Sequence, residues 1–430
     1  MKRHKPLANL SVLALVGALA LSACGSEDKD NEPSSDGTNA TSDAPAKQGD
    51  GTFTVGSLLP KTGDLAFLGP PEFAGVNAAV AEINANGGVL GKDIAAFEAD
   101  SGDGTPDIAG TGVDQLVRDK ADVIIGAAAS GVSLSVIDKI TQENKLVHFS
   151  PANTSPAFDD AETDPNGLYF RTAPSDVLQG AVMANTIIED GKSNVAILAR
   201  QDSYGELLAK QISDGLEAGG APVKDNMSVL YSADAQNFTA EVNQIAAGKP
   251  DAVVVVGFNE TTKIIPTMVG KGIGPKDVQV YFVDGNTADY SKDLPKGTLT
   301  GVRATYPGAE LTDDFKKVLL KADPKLTDFT YGPESFDAVM LSALAAVAAK
   351  SDDPETFAPK IIEVSEGGEK CTTYKDCVAL LDEGKDIDYD GVSGPVDLGE
   401  TGSPTKATIG IFEYDETNKY QNVKYVTGVI

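Results

Sequence analysis

The sequence is poor in the residues that most often carry catalysis and metal binding. It contains two histidines, three cysteines and no tryptophan in 430 residues. His4 lies at the amino terminus, so a Ser–His–acid triad in the rest of the chain could use only His148, which sits in a strand-like stretch and is better explained as a packed side chain. A structural zinc site needs about four Cys or His ligands. We therefore expect no metal and no cofactor.

Basic residues are also scarce. The chain has 35 Lys and Arg against 64 Asp and Glu, which gives a formal net charge of -29. Nucleic-acid affinity depends on phosphate neutralisation by Lys and Arg, so we expect no nucleic-acid partner. Hydrophobic residues make up 41% of the chain. That content and length are enough for two domains with their own cores.

Motifs for phosphate binding and nucleophilic catalysis are absent. The stretch Gly87-Gly88-Val89-Leu90-Gly91-Lys92 lacks the first glycine and the Ser or Thr of a P-loop. Gly131-Val132-Ser133-Leu134-Ser135 lacks the second glycine of a nucleophile elbow. Residues 386–391 match the first half of a calcium-binding loop, with an acidic surface turn as the alternative. The pattern favours a binding protein over an enzyme.

Long hydrophobic runs are confined to the amino terminus. Basic residues at positions 2, 3 and 5 precede an apolar run over 7–21, which is too short to span a bilayer comfortably. Leu21-Ser22-Ala23-Cys24 resembles a bacterial lipobox. It predicts a signal peptide over 1–23 and lipid on Cys24, with an ordinary signal peptide as the alternative. We expect an extracytoplasmic lipoprotein anchored to the cell membrane by that lipid alone.

Two further features agree with an exported protein: a polar segment after Cys24 and a pair of cysteines near the carboxyl terminus. Residues 24–50 are rich in Ser, Asp, Asn, Pro and Gly, which predicts a disordered tether after the lipidated cysteine. Cys371 and Cys377 are the remaining cysteines. An exported compartment is oxidising, so they are expected to form a disulfide that closes a short loop.

From Thr52 onward the chain alternates strand and helix patterns. Apolar strands such as 53–59, 121–125 and 252–256 are each followed by residues with helical spacing. Repeated βα units predict parallel sheets covered by helices on both faces. The rhythm restarts after residues 171–174, so the fold class is α/β with two doubly wound units. In such sheets ligands bind at the carboxyl ends of strands.

Three groups at strand ends suggest a binding site. Ser130-Gly131 offers a hydroxyl and amides where a helix begins, and a helix amino terminus favours an anion. Ala152 and Thr154 add donors beside it. Asp284 ends a strand of the second unit and supplies a negative charge. Together they could hold a zwitterion, although Ser130 and Thr154 could be helix caps and Asp284 could begin a turn.

The order and spacing of many short pieces resemble the substrate-binding proteins of branched-chain amino acid ABC transporters, with the type I periplasmic-binding-protein fold. The resemblance extends over about residues 52–412. The matching pieces include Glu82-Ile83-Asn84-Ala85-Asn86-Gly87-Gly88, Ser150-Pro151-Ala152-Asn153-Thr154, Phe170-Arg171-Thr172, Asp202-Ser203-Tyr204-Gly205, Asp284-Gly285 and Tyr331-Gly332-Pro333-Glu334-Ser335-Phe336-Asp337-Ala338.

The resemblance implies two lobes joined by three hinge crossings. Carried onto this chain, the crossings fall near residues 171–174, 301–305 and 391–396. Lobe one would comprise 51–172 plus 304–393. Lobe two would comprise 174–302 plus 394–430. The naive division into two consecutive halves is thereby replaced by a chain that changes lobes three times.

The resemblance also implies roles for particular residues. Ser130 and Thr154 would bind a ligand carboxylate with the backbone of Ala152, and Asp284 would bind the ammonium. Further contacts would come from Tyr204, Phe258, Phe67 and Leu68. The expected ligand is a branched-chain or other aliphatic amino acid, delivered to the transmembrane subunits of an ABC permease. Binding of amides, urea or other small acids, and ligand sensing without transport, are the alternatives.

Overall fold

The structure is a computed structural model that describes residues 49–104 and 107–430. The predicted signal peptide, lipidated Cys24 and nearly all of the tether lie outside these residues. The described chain contains two large sheets and one small one. No helix among the described residues combines the length and the apolar character that crossing a membrane requires.

The first large sheet has five parallel strands in the order β2-β1-β3-β4-β5. These strands are β1 Thr54–Leu59, β2 Ala95–Asp100, β3 Val123–Gly126, β4 Val147–Ser150 and β5 Tyr169–Arg171. The intervening helices are α1 Gly69–Ala85, α2 Ala109–Arg118 and α3 Ser130–Ile137, which continues as a π-helix over Asp138–Glu143. Both faces of the sheet are covered, as the alternating pattern predicts.

The second large sheet has seven strands in the order β14-β13-β10-β9-β8-β6-β7. Its strands are β6 Val195–Gln201, β7 Ser228–Ser232, β8 Ala252–Val256, β9 Gln279–Phe282, β10 Arg303–Pro307, β13 Lys406–Tyr414 and β14 Tyr420–Val429. Strands β6 to β10 are parallel, whereas β13 and β14 add an antiparallel edge. The helices among them are α4 Asp176–Glu189, α5 Gly205–Ala218, α6 Thr239–Ala247 and α7 Thr261–Gly270.

The central strand β8 shows why these segments become strands. All five of its residues, Ala-Val-Val-Val-Val, are buried. Branched side chains favour the extended backbone, and burial on both faces is typical of a parallel sheet. Val254 packs toward α4 and α5, whereas Val253 and Val255 pack toward α6 and α7. The strand therefore belongs to two cores at once.

The chain returns to the first sheet between β10 and β13. This return segment contains α8 Asp313–Ala322, α9 Gly332–Ala349, α10 Pro354–Ser365, α11 Tyr374–Asp382 and the small parallel sheet of β11 Glu369–Cys371 and β12 Ile387–Tyr389. Helix α9 packs against α1 and against β3 and β4. The contact with α1 is close, because a Cβ atom at Gly75 would lie 2.1 Å from the carbonyl oxygen of Gly332.

Strand order therefore shows three passages between the sheets. The first follows β5, the second follows β10 and the third precedes β13. The predicted lobe boundary at residue 304 falls inside β10, whose backbone pairs with β9 and β13 of the second sheet. In the structure β10 lies wholly in the second sheet, and the second passage begins after Pro307.

Buried polar side chains hold these passages. The guanidinium of Arg171 is fully buried and donates to the carbonyl oxygens of Asn153 at 3.2 Å and Ser155 at 2.9 Å, and to Ser403 Oγ at 2.9 Å. It also forms an ion pair with Asp159. Arg171 thus joins the first passage to the segment that leads into β13.

The third passage is held by Asp337 on α9. Its carboxylate accepts hydrogen bonds from the backbone N–H groups of Val392 at 3.1 Å and Ser393 at 2.7 Å, and from the hydroxyl of Tyr389 at 2.8 Å. Burial nevertheless raises the pKa of Asp337 to about 6. One side chain therefore fixes the chain where it leaves the first sheet.

Candidate functional site

The candidate site lies where strands of the two large sheets end. Ser130 follows β3, Ala152 follows β4, Phe258 follows β8 and Asp284 follows β9. In parallel sheets these carboxyl ends share one edge, which is why the residues converge although they are far apart in sequence. The four residues line one cavity.

The loop between β3 and α3 is held by buried polar side chains at the end of β4 and just after it. The amide of Asn153 donates to the carbonyl oxygens of Ala127 at 3.0 Å and Ala128 at 2.9 Å. The hydroxyl of Ser150 donates to Ala127 at 2.8 Å. Because the loop carbonyls are already occupied, its orientation is fixed and the amino terminus of α3 is presented to the cavity.

Ser130 is the first residue of α3 and is buried. The alternative that it caps the helix is wrong: the capping position is Ala129, and no side chain caps this end. The Ser130 hydroxyl accepts one long hydrogen bond, at 3.4 Å, from the N–H of Ser155. It remains able to donate to an acceptor in the cavity, where the helix dipole favours negative charge.

Thr154 is placed behind the cavity. Its carbonyl oxygen accepts from the N–H of Asp176 at 2.7 Å, while its buried hydroxyl makes no hydrogen bond of ordinary geometry. It is not the helix cap that was considered, because Ser155 caps the short 3-10 helix that follows. A role for Thr154 in direct ligand contact therefore stays a prediction.

Asp284 is the centre of the hydrogen bonds on the opposite side. Its Oδ1 accepts from the hydroxyl of Tyr204 at 2.7 Å and the amide of Gln179 at 3.0 Å, and its Oδ2 accepts from the hydroxyl of Tyr331 at 2.8 Å. Burial raises the pKa of Asp284, although these three donors offset part of the effect. Asp284 also begins a single 3-10 turn, as the alternative interpretation predicted, and it lines the cavity at the same time.

A second buried acid stands beside it. Asp176 is fully buried, and its Oδ2 has no hydrogen bond of ordinary geometry. Burial, followed by the charge of Asp284, raises the pKa of Asp176 well above its usual value, while Gln179 and Thr154 offset part of the effect. Neither acid forms an ion pair with a residue that the structure describes. The site therefore concentrates two carboxyl groups without an ion pair, although the more distant charge of Arg171 also lowers the pKa of Asp176 in part.

An aromatic wall closes the site on the second-sheet side. The rings of Tyr204 and Phe258 stack with centroids 5.5 Å apart, and the guanidinium of Arg200 lies 3.6 Å from the Phe258 centroid on its ring face. Arg200 is itself held by Glu260 at 2.9 Å and by Asp202. This stack fixes Phe258 as an apolar surface and keeps the Arg200 charge paired elsewhere.

The enclosed volume is about 20 Å³, which is room for about one water molecule. Ligand pockets are typically on the order of 300 Å³ or more. An amino acid can therefore enter this site only if the two sides move apart. The cavity is lined by Leu65, Leu68, Ala128, Ala129, Ser130, Ala152, Tyr204, Phe258, Asp284, Gly285 and Tyr331.

The structure brings most of the predicted residues together. Six of them line the cavity: Leu68, Ser130, Ala152, Tyr204, Phe258 and Asp284. Phe67 and Thr154 do not. Phe67 is partly buried and packs against two of the hydrophobic cores instead.

Five lining residues were missed as site residues: Leu65, Ala128, Ala129, Gly285 and Tyr331. Tyr331 has a left-handed backbone with φ of 57° and lies just before α9, which places its hydroxyl across from β9. The sequence Tyr331-Gly332-Pro333 indicates that a helix begins after a residue of irregular backbone conformation, and this pattern was the signal from which Tyr331 could have been found. Leu65 lies three residues before the predicted Leu68, in a piece that the resemblance had marked, and this was its available signal.

Other predicted residues lie away from the site. Cys371 and Cys377 are joined by a disulfide. In the acidic segment 386–391, Lys370 forms ion pairs with Asp388 at 3.2 Å and Asp390 at 2.9 Å. No group of three or more His, Cys, Asp or Glu within the described ranges is arranged to hold a metal ion. His148 is buried and packs edge-on against Tyr169, and burial lowers its pKa to about 4.

Comparison with known proteins gives one family match and a set of relatives. A family model described as periplasmic binding protein matches residues 52–419. A chemotactic signal transduction system substrate-binding protein of Halobacterium salinarum is 28% identical and covers 80% of this chain and 83% of its own. A Leu/Ile/Val-binding protein of Rhizobium johnstonii is 27% identical, and the match covers 84% of this chain and 92% of that protein. These relatives are binding proteins, not enzymes.

Solved structures share the fold. A leucine binding protein of Thermotoga maritima superposes with a TM-score of 0.70 at 19% identity, over 87% of this chain and 99% of that one. A solute binding protein of R. palustris in complex with benzoate superposes with a TM-score of 0.69 at 18% identity. The superposition covers 88% of this chain and 98% of that one. At these identities the likeness establishes the α/β type I arrangement and leaves the ligand open.

Proposed function

We propose that this chain, which belongs to the periplasmic binding protein family, binds an aliphatic amino acid in the cavity between Ser130 and Asp284. The observation that carries the proposal is the opposition of two unlike ends in one cavity. A helix amino terminus faces it from the first sheet, and a buried acid without an ion pair faces it from the second. This polarity suits a small zwitterion.

The ammonium end of the ligand would lie against Asp284. A buried carboxylate is costly unless a cation or several donors compensate it. The hydroxyls of Tyr204 and Tyr331 supply donors, but no described side chain supplies a positive charge. A ligand ammonium would supply it and would lower the raised pKa of Asp284. Asp176 would add to the same negative potential from behind.

The carboxylate end would lie against the amino terminus of α3. Backbone N–H groups in the first turn of a helix have no partners within the helix. The Ser130 hydroxyl adds one donor, and the N–H of Ala152 would add another in place of its 3.3 Å hydrogen bond to Ser150 Oγ. Selection for the side chain would come from Leu65, Leu68 and Phe258, which are apolar and offer no partner to a polar side chain.

Capture would require closure of the two lobes, which with β10 placed in the second sheet comprise 51–172 plus 308–393 and 174–307 plus 394–430. Tyr331, next to α9, contacts Asp284, and the hydroxyl of Ser155 donates to the carbonyl oxygen of Ser203 at 2.8 Å. These contacts join elements of both sheets and would separate on opening. Closure around the ligand would then create the surface that an ABC permease recognises.

The lipid on Cys24 would hold the protein at the outer face of the cell membrane, with 24–50 as the tether. In this arrangement the binding domain searches the volume within reach of the tether. The effective concentration near the permease is therefore set by tether length.

Ligand sensing is the second candidate function. It is favoured by the similarity to the substrate-binding protein of a chemotactic signal transduction system. Both functions use the same closure and differ in the membrane partner. Uptake of labelled leucine by cells with and without the gene would separate them. If the protein serves transport, uptake should be lower in the cells without the gene, whereas a sensing role predicts equal uptake.

Isothermal titration of the purified chain with leucine, isoleucine and valine tests the proposed ligand. Alanine, acetamide, urea and benzoate form the comparison panel. We expect saturable binding of the aliphatic amino acids and weaker binding of alanine. Isobutylamine and isovalerate, added as controls, should not bind, because each lacks one of the two charged ends. Preference for benzoate or an amide would reject the amino-acid assignment while leaving the site in place.

A further inference from the structure

A second and larger cavity lies away from the amino-acid site. It is an open groove of about 330 Å³ beside the carboxyl end of β10, the start of α9 and the edge pair β13–β14. Five aromatic side chains and several acids contribute to its lining. We call it the aromatic groove, and the residues that matter for its chemistry are Tyr306, Phe329, Glu334, Phe412, Tyr420 and Tyr425.

The rings of the groove form a fixed wall. Phe412 on β13 meets Tyr420 edge-on with centroids 5.5 Å apart and an interplanar angle of 89°, and meets Tyr425 at 6.4 Å and 86°. Its centroid is 6.1 Å from that of Tyr306. Phe412 is buried, whereas Tyr420 and Tyr425 are partly exposed. The wall is thus supported from behind and accessible in front.

The floor of the groove carries two buried carboxyl groups. Glu334 is only 3% exposed, and its Oε2 has no hydrogen-bond partner. Behind it lies Glu72, fully buried, with neither oxygen hydrogen-bonded. Neither acid forms an ion pair with any residue in the described part of the chain. Lys316 contributes to the lining, but it is 3.2 Å from Asp313 in an ion pair of its own.

These features complement one kind of ligand. Aromatic faces attract cations, most strongly where solvent is partly excluded. A buried carboxyl with one unbonded oxygen disfavours an apolar occupant, which would leave that oxygen unsatisfied. It also disfavours an anionic occupant, which would add like charge once the carboxyl ionises. Burial raises the pKa of Glu334 to about 8, and a nearby cation would lower it again.

We propose that the aromatic groove is a second binding site, which takes an organic ammonium cation whose charge is met by Glu334 and whose alkyl groups contact the rings. The site is separate from the amino-acid cavity and does not depend on the identity of the ligand bound there. Its walls come from strands of the second sheet and from the segment that leads into α9.

Calorimetric titration of the full chain with tetramethylammonium chloride tests this proposal. Saturable binding is expected, with tert-butanol, a neutral molecule of similar shape, binding at least about tenfold more weakly. Tetramethylammonium binding at pH 7 should release protons, seen as a heat that depends on the ionisation enthalpy of the buffer. Equal affinity for tert-butanol, or no saturation at millimolar concentrations, would overturn the proposal.

Variants locate the binding. Glu334→Gln and, separately, Tyr425→Leu should each weaken tetramethylammonium binding by about tenfold, whereas Asp284→Asn and the exposed Glu363→Gln should leave it unchanged. Tyr425 lies on the edge strand, so its variant remains informative if Glu334→Gln fails to fold. Binding that persists in Tyr425→Leu and is lost in Asp284→Asn would place the cation in the amino-acid cavity and reject the groove.

Discussion

One amide nitrogen joins Asp176 to Asp284. Nε2 of Gln179 lies 2.8 Å from Oδ1 of Asp176 and 3.0 Å from Oδ1 of Asp284. Both acids are buried, and burial raises the pKa of each, with the charge of Asp284 adding to the effect at Asp176. Two interacting acids of this kind titrate as a unit. The pair therefore retains a proton at pH values where an exposed Asp would be ionised.

The acid pair should release protons when an amino acid binds. The ligand ammonium stabilises the ionised carboxylates and lowers both pKa values, so up to about one proton leaves per ligand at pH values where the empty pair still holds it. Calorimetry in two buffers of different ionisation enthalpy measures this number. Asp176→Asn should reduce the release, since one titrating group is gone. A binding enthalpy that is independent of the buffer in the wild type would contradict the prediction.

Asp284→Asn should weaken leucine binding by about 2–5 kcal/mol, because the ligand ammonium loses its buried charged partner. Titration calorimetry gives the affinity directly. Asp214→Asn is the matched control, since Asp214 is exposed on α5, outside the cavity, and is paired with Lys210. Equal affinities of the two variants would show that Asp284 does not bind the ammonium.

Tyr331→Phe should weaken leucine binding by about 1–2 kcal/mol through the loss of one donor to Asp284. The effect should depend on Asp284, so combining Tyr331→Phe with Asp284→Asn should cost less than the sum of the two changes. A double-mutant cycle on the affinities measures the difference. Strict additivity would mean that the hydroxyl acts elsewhere.

Ser130→Ala should weaken leucine binding by about 1 kcal/mol, because the ligand carboxylate loses a hydroxyl donor but keeps the backbone amides of α3. Ser135→Ala is the control on the same helix: its hydroxyl donates to the carbonyl oxygen of Val132. Equal leucine affinities of Ser130→Ala and Ser135→Ala would contradict the assigned contact.

The free energy of unfolding should fall as pH rises from about 5 to about 8. Burial raises the pKa of Glu334 to about 8, so the folded state holds a proton that the unfolded chain releases above its ordinary pKa of about 4.5. Stability is therefore fully present below that lower value and is lost as pH rises toward 8, with a slope of at most about 1.4 kcal/mol per pH unit from this group.

Urea unfolding across this range, compared between wild type and Glu334→Gln, measures the contribution of Glu334. The variant should show a flatter profile, because glutamine does not titrate. Glu72 and Asp337 have pKa values shifted in the same direction, so some slope remains in the variant. Identical slopes would show that Glu334 titrates normally.

The sequence supported the fold and about half of the cavity lining. Buried strands such as β8 are visible as runs of branched apolar residues, and strand ends then mark Ser130 and Asp284 as candidates. Tyr331 could not be found in this way, because its hydroxyl reaches Asp284 only through a tertiary approach from another part of the chain. Phe67 shows the reverse: one position away from Leu68, its ring packs into the hydrophobic cores instead.

Boundaries were the weaker part of the prediction. The resemblance placed the second crossing near residues 301–305, yet β10 extends to Pro307 because it is paired on both sides, by β9 and β13. Pairing partners distant in sequence leave no local signal. The same limit applies to Glu334, whose burial near Glu72 depends on the packing of α1 against α9.

The hydrogen bond between Tyr331 and Asp284 has a consequence for the rate of ligand capture. A ligand can reach Asp284 only while this bond is broken, so the association rate constant is reduced by the fraction of molecules that are open. At high ligand concentration the observed rate should level off at the opening rate of the empty protein. Tyr331→Phe should raise that plateau, so that the variant binds faster although it binds less tightly.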